Sequence, residues 1–296
     1  MRLLSDTLAV LPSTANSPFN ASLPIDPLPN SLHNWQPLAD VDLTIFVGLT
    51  GVGKTTTLEA VADLGFTLTL LPNRRTLTDD LLIAELQLAD GDPVSTVRDR
   101  AQRFAYTRRY REQYAGGMAH ALAQLLLKRN VPTINVSAAN ISTTRDTVDV
   151  RYLFDGLRGV NEVTHAARLL PRARFVVLTA SDFVRVQRLL GRNDQFDQVA
   201  VSDKQIEAVD LLGEAASLFS AKEQEQLYAL VQAGQVDPAE LQAKLKIVQT
   251  ERQNYDSDAS IDALLADAPQ RTLVVDTATY SPQQVAEQIV TFLQSI

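Results

Sequence analysis

The chain has 296 residues, of which 45% are hydrophobic and 21% are charged, a composition typical of globular proteins. It contains no cysteine and three histidines, which excludes disulfides and thiolate catalysis and argues against a histidine metal site. The net charge of -8 argues against a general nucleic-acid-binding protein, so a nucleic-acid partner is not expected. We also expect no membrane partner and a cytoplasmic location, because the sequence lacks a membrane-spanning apolar run and the apolar stretch of a signal peptide.

The first part of the chain is rich in proline, serine and asparagine, from Leu11 to Asp40. Proline removes a backbone donor and fixes φ, so such a segment forms little regular structure of its own. We therefore predict that residues 1–40 form an extended arm rather than a domain.

A glycine-rich motif follows, Gly48-Leu49-Thr50-Gly51-Val52-Gly53-Lys54-Thr55, with the G-x-x-x-x-G-K-T spacing of a phosphate-binding loop. Residues 42–47 predict a buried strand before it, and residues 56–64 predict a helix after it. The glycines let backbone N–H groups surround an anion, and the helix N-terminus adds partial positive charge. The expected roles are contact with the β- and γ-phosphates for Lys54 and Mg²⁺ binding for Thr55. The predicted nucleotide-binding residues here are Gly48, Thr50, Gly51, Val52, Gly53, Lys54, Thr55 and Thr56.

The next part of the chain predicts a strand at residues 66–71 and a helix at residues 79–88. Arginine is then concentrated between Val97 and Arg111 in a chain that is acidic overall. This stretch is either a solvated helical face or a phosphate-recognition surface, because guanidinium groups bind phosphate oxygens in pairs. A helix is predicted from Met118 to Lys128, and residues 131–149 are predicted as loop with a short strand.

A third buried strand is predicted from Val150 to Gly156 and contains Asp155 near its end. An aspartate at the carboxyl end of a strand beside the loop strand is where Mg²⁺ or its water shell is held. A helix at residues 162–169 and a strand at residues 174–179 follow. The helix after that strand places three arginines on one face, Arg185, Arg188 and Arg192.

Residues 201–265 are predicted to be almost wholly helical, followed by a fifth strand at residues 271–276 and a helix at residues 283–293. Strands that alternate with helices predict an α/β fold, with a three-layer parallel sheet of five core strands. We predict that residues 41–200 and 268–296 form the core and that residues 201–267 form a helical insert.

Two stretches resemble the nucleoside-monophosphate kinase superfamily of P-loop NTPases. The first, Leu153-Phe154-Asp155-Gly156-Leu157-Arg158-Gly159-Val160-Asn161-Glu162-Val163, is most similar to dephospho-coenzyme-A-kinase-like proteins. The second, Arg185 to Arg192, resembles the run that enters the lid of adenylate kinases. The resemblance implies strand order 2-3-1-4-5, ATP-dependent kinase activity and a lid that moves on ligand binding. It also implies that the turn after the fifth strand touches adenine, which adds Thr279 to the nucleotide-binding residues.

The leading hypothesis is a kinase that transfers the γ-phosphoryl group of Mg-ATP to a phosphorylated or otherwise anionic small molecule. The predicted catalytic residues are Lys54, Asp155, Arg188 and Arg192, the metal residues are Thr55 and Asp155, and the acceptor-binding residues are Arg74, Arg75, Arg100 and Arg158. Two alternatives stay open. The first is a P-loop ATPase, and the second is a nucleotide-dependent regulatory module that acts on a protein partner through the helical insert.

Overall fold

The computed structural model describes residues 2–10, 34–129, 135–137, 140–142, 151–191 and 211–295. Its strands are β1 (Arg2–Leu3), β2 (Leu8–Val10), β3 (Trp35–Pro37), β4 (Leu43–Val47), β5 (Thr69–Leu70), β6 (Leu125–Lys128), β7 (Asn135–Ser137), β8 (Asn140–Ser142), β9 (Tyr152–Leu157), β10 (Ala173–Thr179) and β11 (Thr272–Asp276). Its α-helices are α1 (Lys54–Asp63), α2 (Arg74–Leu77), α3 (Ala84–Ala89), α4 (Arg100–Gln113), α5 (Met118–Ala123), α6 (Val160–Leu169), α7 (Asp182–Leu190), α8 (Ala221–Gln232), α9 (Pro238–Asn254), α10 (Ser257–Asp267) and α11 (Pro282–Gln294). A π-helix spans Thr78–Ile83, and 3-10 helices span Leu38–Asp40, Gly213–Leu218 and Pro269–Arg271.

The central sheet has five parallel strands in the order β5-β9-β4-β10-β11, and the predicted five-stranded parallel sheet is thereby confirmed. Counted along the chain, these strands lie in the order 2-3-1-4-5. Strand β4 is in the middle, and its Ile45 is in register with Phe154 of β9 and Phe175 of β10. In a parallel sheet, the crevice between the carboxyl ends of such central strands is a common ligand site.

Alternating residues of each central strand point to opposite faces of the sheet, and helices cover both faces. In β4, Ile45 belongs to one apolar cluster and Phe46 to the other. Helices α1 and α11 pack over the face that contains Phe46. Helices α5, α6 and α10 lie on the other face, which leaves the strand ends open at the edge of the sheet.

A second sheet contains four antiparallel strands in the order β1-β2-β6-β3. Its strand β6 corrects the helix predicted from Met118 to Lys128, because that helix ends at Ala123. Leu126 packs with Trp35 on one side of β6, while Leu125 and Leu127 enter the main core on the other. A short apolar run buried on both sides has no periodicity that separates helix from strand.

The strand predicted at residues 66–71 is confirmed only at Thr69–Leu70. This strand is at the edge of the sheet and pairs with β9 alone, through Tyr152 and Leu153. The predicted loop at residues 131–149 contains the hairpin β7–β8, and the rest of it lies outside the described residues.

Helices α8 and α9 share an apolar cluster with α7, which includes Leu189, Leu227 and Leu245. Helix α10 packs on α6 instead and contributes Leu264 to the main core. The first residues of the predicted helical insert lie outside the described part of the chain. In the part that is described, no helix combines the length and apolar character needed to cross a bilayer.

Candidate functional site

The glycine-rich loop joins the end of β4 to the start of α1, at the centre of the parallel sheet. All three of its glycines have positive φ angles, 153° at Gly48, 85° at Gly51 and 91° at Gly53, a range that favours glycine. A Cβ atom at Gly51 would lie 2.9 Å from the carbonyl oxygen of Arg185. Glycine at this position therefore serves both the backbone conformation of the loop and its close approach to α7.

Side chains from distant parts of the chain hold the carbonyl groups of this loop. The donors are Arg185 Nε to Thr50 O at 2.8 Å, Arg188 Nη1 to Gly51 O at 3.3 Å and Thr277 Oγ1 to Val52 O at 2.8 Å. The N–H groups in the first turn of α1 have no intrahelical acceptor, and no described side chain caps this helix. The loop and the start of α1 therefore form a candidate anion site.

Lys54 is the first residue of α1, and its ammonium group folds back over the loop. Its Nζ donates to the carbonyl oxygens of Gly48 at 2.9 Å and Leu49 at 3.2 Å, and lies 3.7 Å from Oδ1 of Asp155. Burial lowers the pKa of Lys54 to about 8, although the Asp155 carboxylate opposes this shift. Near neutral pH the side chain therefore carries its positive charge within the loop.

Because the pKa of Lys54 is about 8, we expect ATP binding to weaken as the pH rises through this value. Deprotonation removes the positive charge that attracts the phosphates. Calorimetric titrations with ATP from about pH 7 to about pH 9 would measure the effect. The matched variant is Lys54→Arg, whose guanidinium stays protonated and should give a flatter profile. Equal slopes for the two proteins would contradict this role of Lys54.

Asp155 lies in β9, and Thr55 follows Lys54 in α1; both residues line the same cavity. The Oδ1 atom of Asp155 is buried and has no hydrogen-bond partner among the described residues. The described residues contain no cluster of three histidine, aspartate or glutamate side chains that could hold a metal ion without further ligands. One hydroxyl and one carboxylate, completed by phosphate oxygens and water, nevertheless fit the ligands that Mg²⁺ prefers beside a nucleotide.

A cavity of about 770 Å³ opens beside the loop. The loop residues Thr50, Lys54 and Thr55 line it together with parts of α2, α4 and the turn after β9. Its basic lining residues are Lys54, Arg74, Arg75, Arg98, Arg103 and Arg158, and its acidic ones are Asp155 and Glu251. Because basic side chains outnumber acidic ones here, while the whole chain is acidic, the cavity favours an anionic ligand.

The cavity brings together three of the four predicted acceptor-binding arginines, Arg74, Arg75 and Arg158. Arg74 is paired with Glu162 by two hydrogen bonds of 2.6 Å and donates to the carbonyl oxygen of Gly156 at 2.7 Å. Its guanidinium therefore links α6 to the end of β9. Arg75, in contrast, is exposed on the same short helix.

The arginine-rich stretch reaches the cavity through residues that were not singled out in the sequence. The fourth predicted arginine, Arg100, begins α4, but its side chain lies outside the described residues. Arg98, Arg103 and the exposed Phe104 line the cavity from this region. Arg103 is also paired with Asp79, so part of its charge is neutralised.

Arg188, one of the predicted catalytic residues, does not line the 770 Å³ cavity. Its two Nη atoms donate to Oγ1 and the carbonyl oxygen of Thr277, each at 2.8 Å. It borders a second cavity of about 240 Å³ together with Thr56 and Tyr280. Arg188 thus borders a different cavity from Asp155. The helical spacing of the arginines could not reveal which of the two cavities it would border.

Three other predicted residues, Thr279, Val52 and Arg192, lie in different parts of the chain. Thr279 lies in the turn after β11, where its hydroxyl donates to Asp276 at 3.0 Å. The side chain of Val52 is buried in the core, so this residue can offer a ligand only its backbone. Arg192 lies outside the described residues.

Glu251 is a site residue that the sequence analysis missed. It belongs to α9, lines the 770 Å³ cavity and accepts hydrogen bonds from Thr50, a loop residue 201 positions earlier in the chain. Its sequence neighbourhood contains other charged residues and no motif, so no local signal separates it from a solvated glutamate. The structure therefore connects the helical segment directly to the loop.

No protein-family model matches the chain, and no curated protein matches it. Among solved structures, it is similar to the unliganded crystal structure of a sugar kinase from Janibacter sp., with 16% sequence identity and a TM-score of 0.32. The match covers 86% of this chain and 94% of that chain. A likeness this distant does not identify a reaction, so the function has to be inferred from the site.

Proposed function

We propose that this chain is an ATP-dependent phosphotransferase that acts on an anionic small molecule. The observation that carries the proposal is that the glycine-rich loop and several arginines share one cavity of about 770 Å³. Small-molecule sites have volumes of about 300–1,000 Å³. The cavity is therefore large enough for the terminal phosphates of a nucleotide and an acceptor beside them.

In this proposal, the loop N–H groups and the Lys54 ammonium bind the β- and γ-phosphates. The motif, the uncapped start of α1 and the carbonyl groups held by other side chains support a phosphate-binding role. The strand order 2-3-1-4-5 supports a P-loop fold of the kinase-like type. Thr55 and Asp155 are the proposed Mg²⁺ ligands, and the ion supplies positive charge that neutralises the β- and γ-phosphate oxygens.

The cavity of about 240 Å³ beside Arg188 is the proposed site of the nucleoside. This cavity is next to the proposed phosphate site, since Gly53 of the loop and Thr56 of α1 border it. Guanidinium groups stack on planar rings, and the partly exposed Tyr280 adds an aromatic surface. Thr279 precedes Tyr280, which keeps the predicted contact between this turn and adenine within the proposal.

The proposed acceptor-binding residues are Arg75, Arg98 and Arg158. Phosphoryl transfer depends on positioning and charge stabilisation more than on covalent chemistry by the protein. Arginines suit this task because their planar guanidinium groups can form two parallel hydrogen bonds to phosphate or carboxylate oxygens. Arg74 supports them indirectly through its pairing with Glu162.

We expect Asp155→Asn to preserve ATP binding in EDTA and to weaken the additional binding that Mg²⁺ provides. The substitution keeps the shape of the side chain and removes the charge that attracts the cation. Calorimetric titrations with ATP, with and without Mg²⁺, would measure this difference. If the two proteins depend on Mg²⁺ equally, Asp155 is not a metal ligand.

The test of the proposed function is a screen for ADP formation from Mg-ATP with and without phosphorylated and carboxylated small molecules. ADP formation that requires one of these acceptors supports the phosphotransferase. Steady hydrolysis that no acceptor changes would contradict it and support an ATPase.

A second candidate is a nucleotide-dependent regulatory module that acts on a protein partner. The contact between Glu251 of α9 and Thr50 of the loop favours it, because the helical segment then responds directly to the loop. This function predicts tight Mg-ATP binding in a calorimetric titration. It also predicts no ADP formation with any small molecule in the same screen.

A further inference from the structure

We propose that Glu251 is a positioning residue that fixes Arg158 beside the terminal phosphate of bound ATP. This inference rests on the proposed function, and it gives Arg158 a role at the transferred phosphoryl group as well as near the acceptor. The residue acts through other side chains, and its own carboxylate does not touch the nucleotide.

The carboxylate of Glu251 is 9% exposed and accepts hydrogen bonds from three residues. Thr50 donates its backbone N–H to Oε2 at 3.0 Å and its hydroxyl to Oε1 at 2.6 Å. Arg158 donates from Nη1 to Oε1 at 2.8 Å, and Arg185 donates from Nη2 to Oε2. Both oxygens are therefore engaged, and the carboxylate joins the loop to two arginines.

Two other roles for this carboxylate are disfavoured by its surroundings. It is not placed to act on a substrate directly, because four donors already occupy its two oxygens. Phosphate does not displace it in this proposal, since its departure would leave the fully buried Arg185 with Asp182 as its remaining carboxylate partner, and Asp182 is shared with Arg252. Breaking such a buried pair is strongly unfavourable. Glu251 therefore stays in place when a nucleotide binds.

The residue that Glu251 holds at the cavity is Arg158. The backbone N–H of Arg158 is also fixed, because it donates to Glu162 at 3.1 Å. Its Nε atom is buried and has no hydrogen-bond partner among the described residues, although the side chain lines the cavity. An arginine that is fixed at two points, lines the cavity and keeps 29% of its side chain exposed can bind an oxyanion in a defined direction.

The position of Arg158 points to the terminal phosphate. Its guanidinium shares the Glu251 carboxylate with Thr50, a residue of the phosphate-binding loop. It also lines the same cavity as Lys54. In a phosphate-binding loop the lysine contacts the β- and γ-phosphates. Arg158 therefore lies where a third phosphate group, absent from ADP, would be bound.

The test compares binding of a non-hydrolysable ATP analogue and of ADP, both with Mg²⁺, to the full chain. In Glu251→Gln we expect affinity for the analogue to fall about tenfold or more, because a charge-assisted contact to the terminal phosphate loses its geometry. Affinity for ADP should change less than about threefold, because ADP lacks that phosphate. The control is Glu240→Gln, the same change on α9 away from the cavity, which should alter neither affinity.

A double-mutant cycle with Arg158→Gln separates positioning from a general structural effect. If Glu251 acts through Arg158, the double variant should bind the analogue no more weakly than Arg158→Gln alone. Losses that multiply, or equal losses for the analogue and ADP, would overturn the inference. If Glu251→Gln does not fold, Glu251→Asp replaces it, because it retains the charge that neutralises Arg185 while withdrawing the carboxylate from Arg158.

Failure of this inference differs from failure of the proposed function. Wild-type protein that binds neither nucleotide would disprove both. Wild-type protein that binds the analogue more tightly than ADP, with the same preference in Glu251→Gln, would disprove the positioning role alone.

Discussion

Lys54→Ala is expected to abolish tight binding of Mg-ATP and to slow any turnover strongly while leaving the fold intact. The ammonium group donates to two loop carbonyl groups and lies 3.7 Å from Asp155, where the β- and γ-phosphates are proposed to bind. Loss of one group that stabilises a developing charge in an enclosed site lowers turnover by about 10²–10³-fold. Calorimetric titration with ATP and a coupled assay for ADP would measure the two effects.

The matched control is Lys222→Ala, which removes the same charge from an exposed position on α8. It should leave affinity and turnover unchanged. Circular dichroism and thermal unfolding of both variants would show whether the fold is retained. A folded Lys54→Ala protein with wild-type ATP affinity would disprove nucleotide binding at this loop.

Arg185→Met is expected to destabilise the protein by about 3–5 kcal/mol, the usual cost of removing one partner from a buried ion pair. The side chain is 1% exposed and bonds to Asp182, Glu251 and the carbonyl oxygen of Thr50. Methionine fills a similar volume but leaves two buried carboxylates and a carbonyl group without this donor. Because the loop loses a support as well, ATP binding should weaken together with stability. Urea denaturation, followed by fluorescence, would measure the free energy of unfolding.

The comparison variant is Arg252→Ala, which removes another partner of Asp182 from a side chain that is 45% exposed. The Asp182 carboxylate is buried but keeps Arg185 as its partner, and an ion pair to an exposed arginine contributes about 0–1 kcal/mol, so this variant should stay close to wild type. Similar losses of stability in the two variants would show that the buried network around Arg185 does not support the fold as we infer.

The central part of the fold was predictable because its signals are local. Strand β4, the glycine-rich loop and α1 are contiguous, and the positive φ angles of Gly51 and Gly53 fit the glycines that the motif requires. The alternation of apolar strands and amphipathic helices likewise predicted a parallel sheet. Lys54, Thr55 and Asp155 lie in one cavity because neighbouring parallel strands end at the same edge of the sheet.

The partners of the charged residues were not predictable, because pairing depends on parts of the chain that are far apart. Spacing placed Arg185 and Arg188 on one helical face, but it could not show that one would be buried against Glu251 and the other bound to Thr277. Arg74 is an arginine and was therefore predicted to bind the acceptor, yet Glu162 neutralises its charge. The strand Leu125–Lys128 was missed for a similar reason, since its partners come from the first 40 residues.

The supports of the glycine-rich loop also have a consequence for the order in which parts of the protein can fold during synthesis. The loop lies near residue 50, but the side chains that hold it come from Arg185, Glu251 and Thr277. A ribosome therefore completes the motif long before it completes the structure that shapes it. Under the proposed function, ATP binding is thermodynamically linked to folding of the C-terminal part, so ATP should favour the fully folded chain over its partly folded forms.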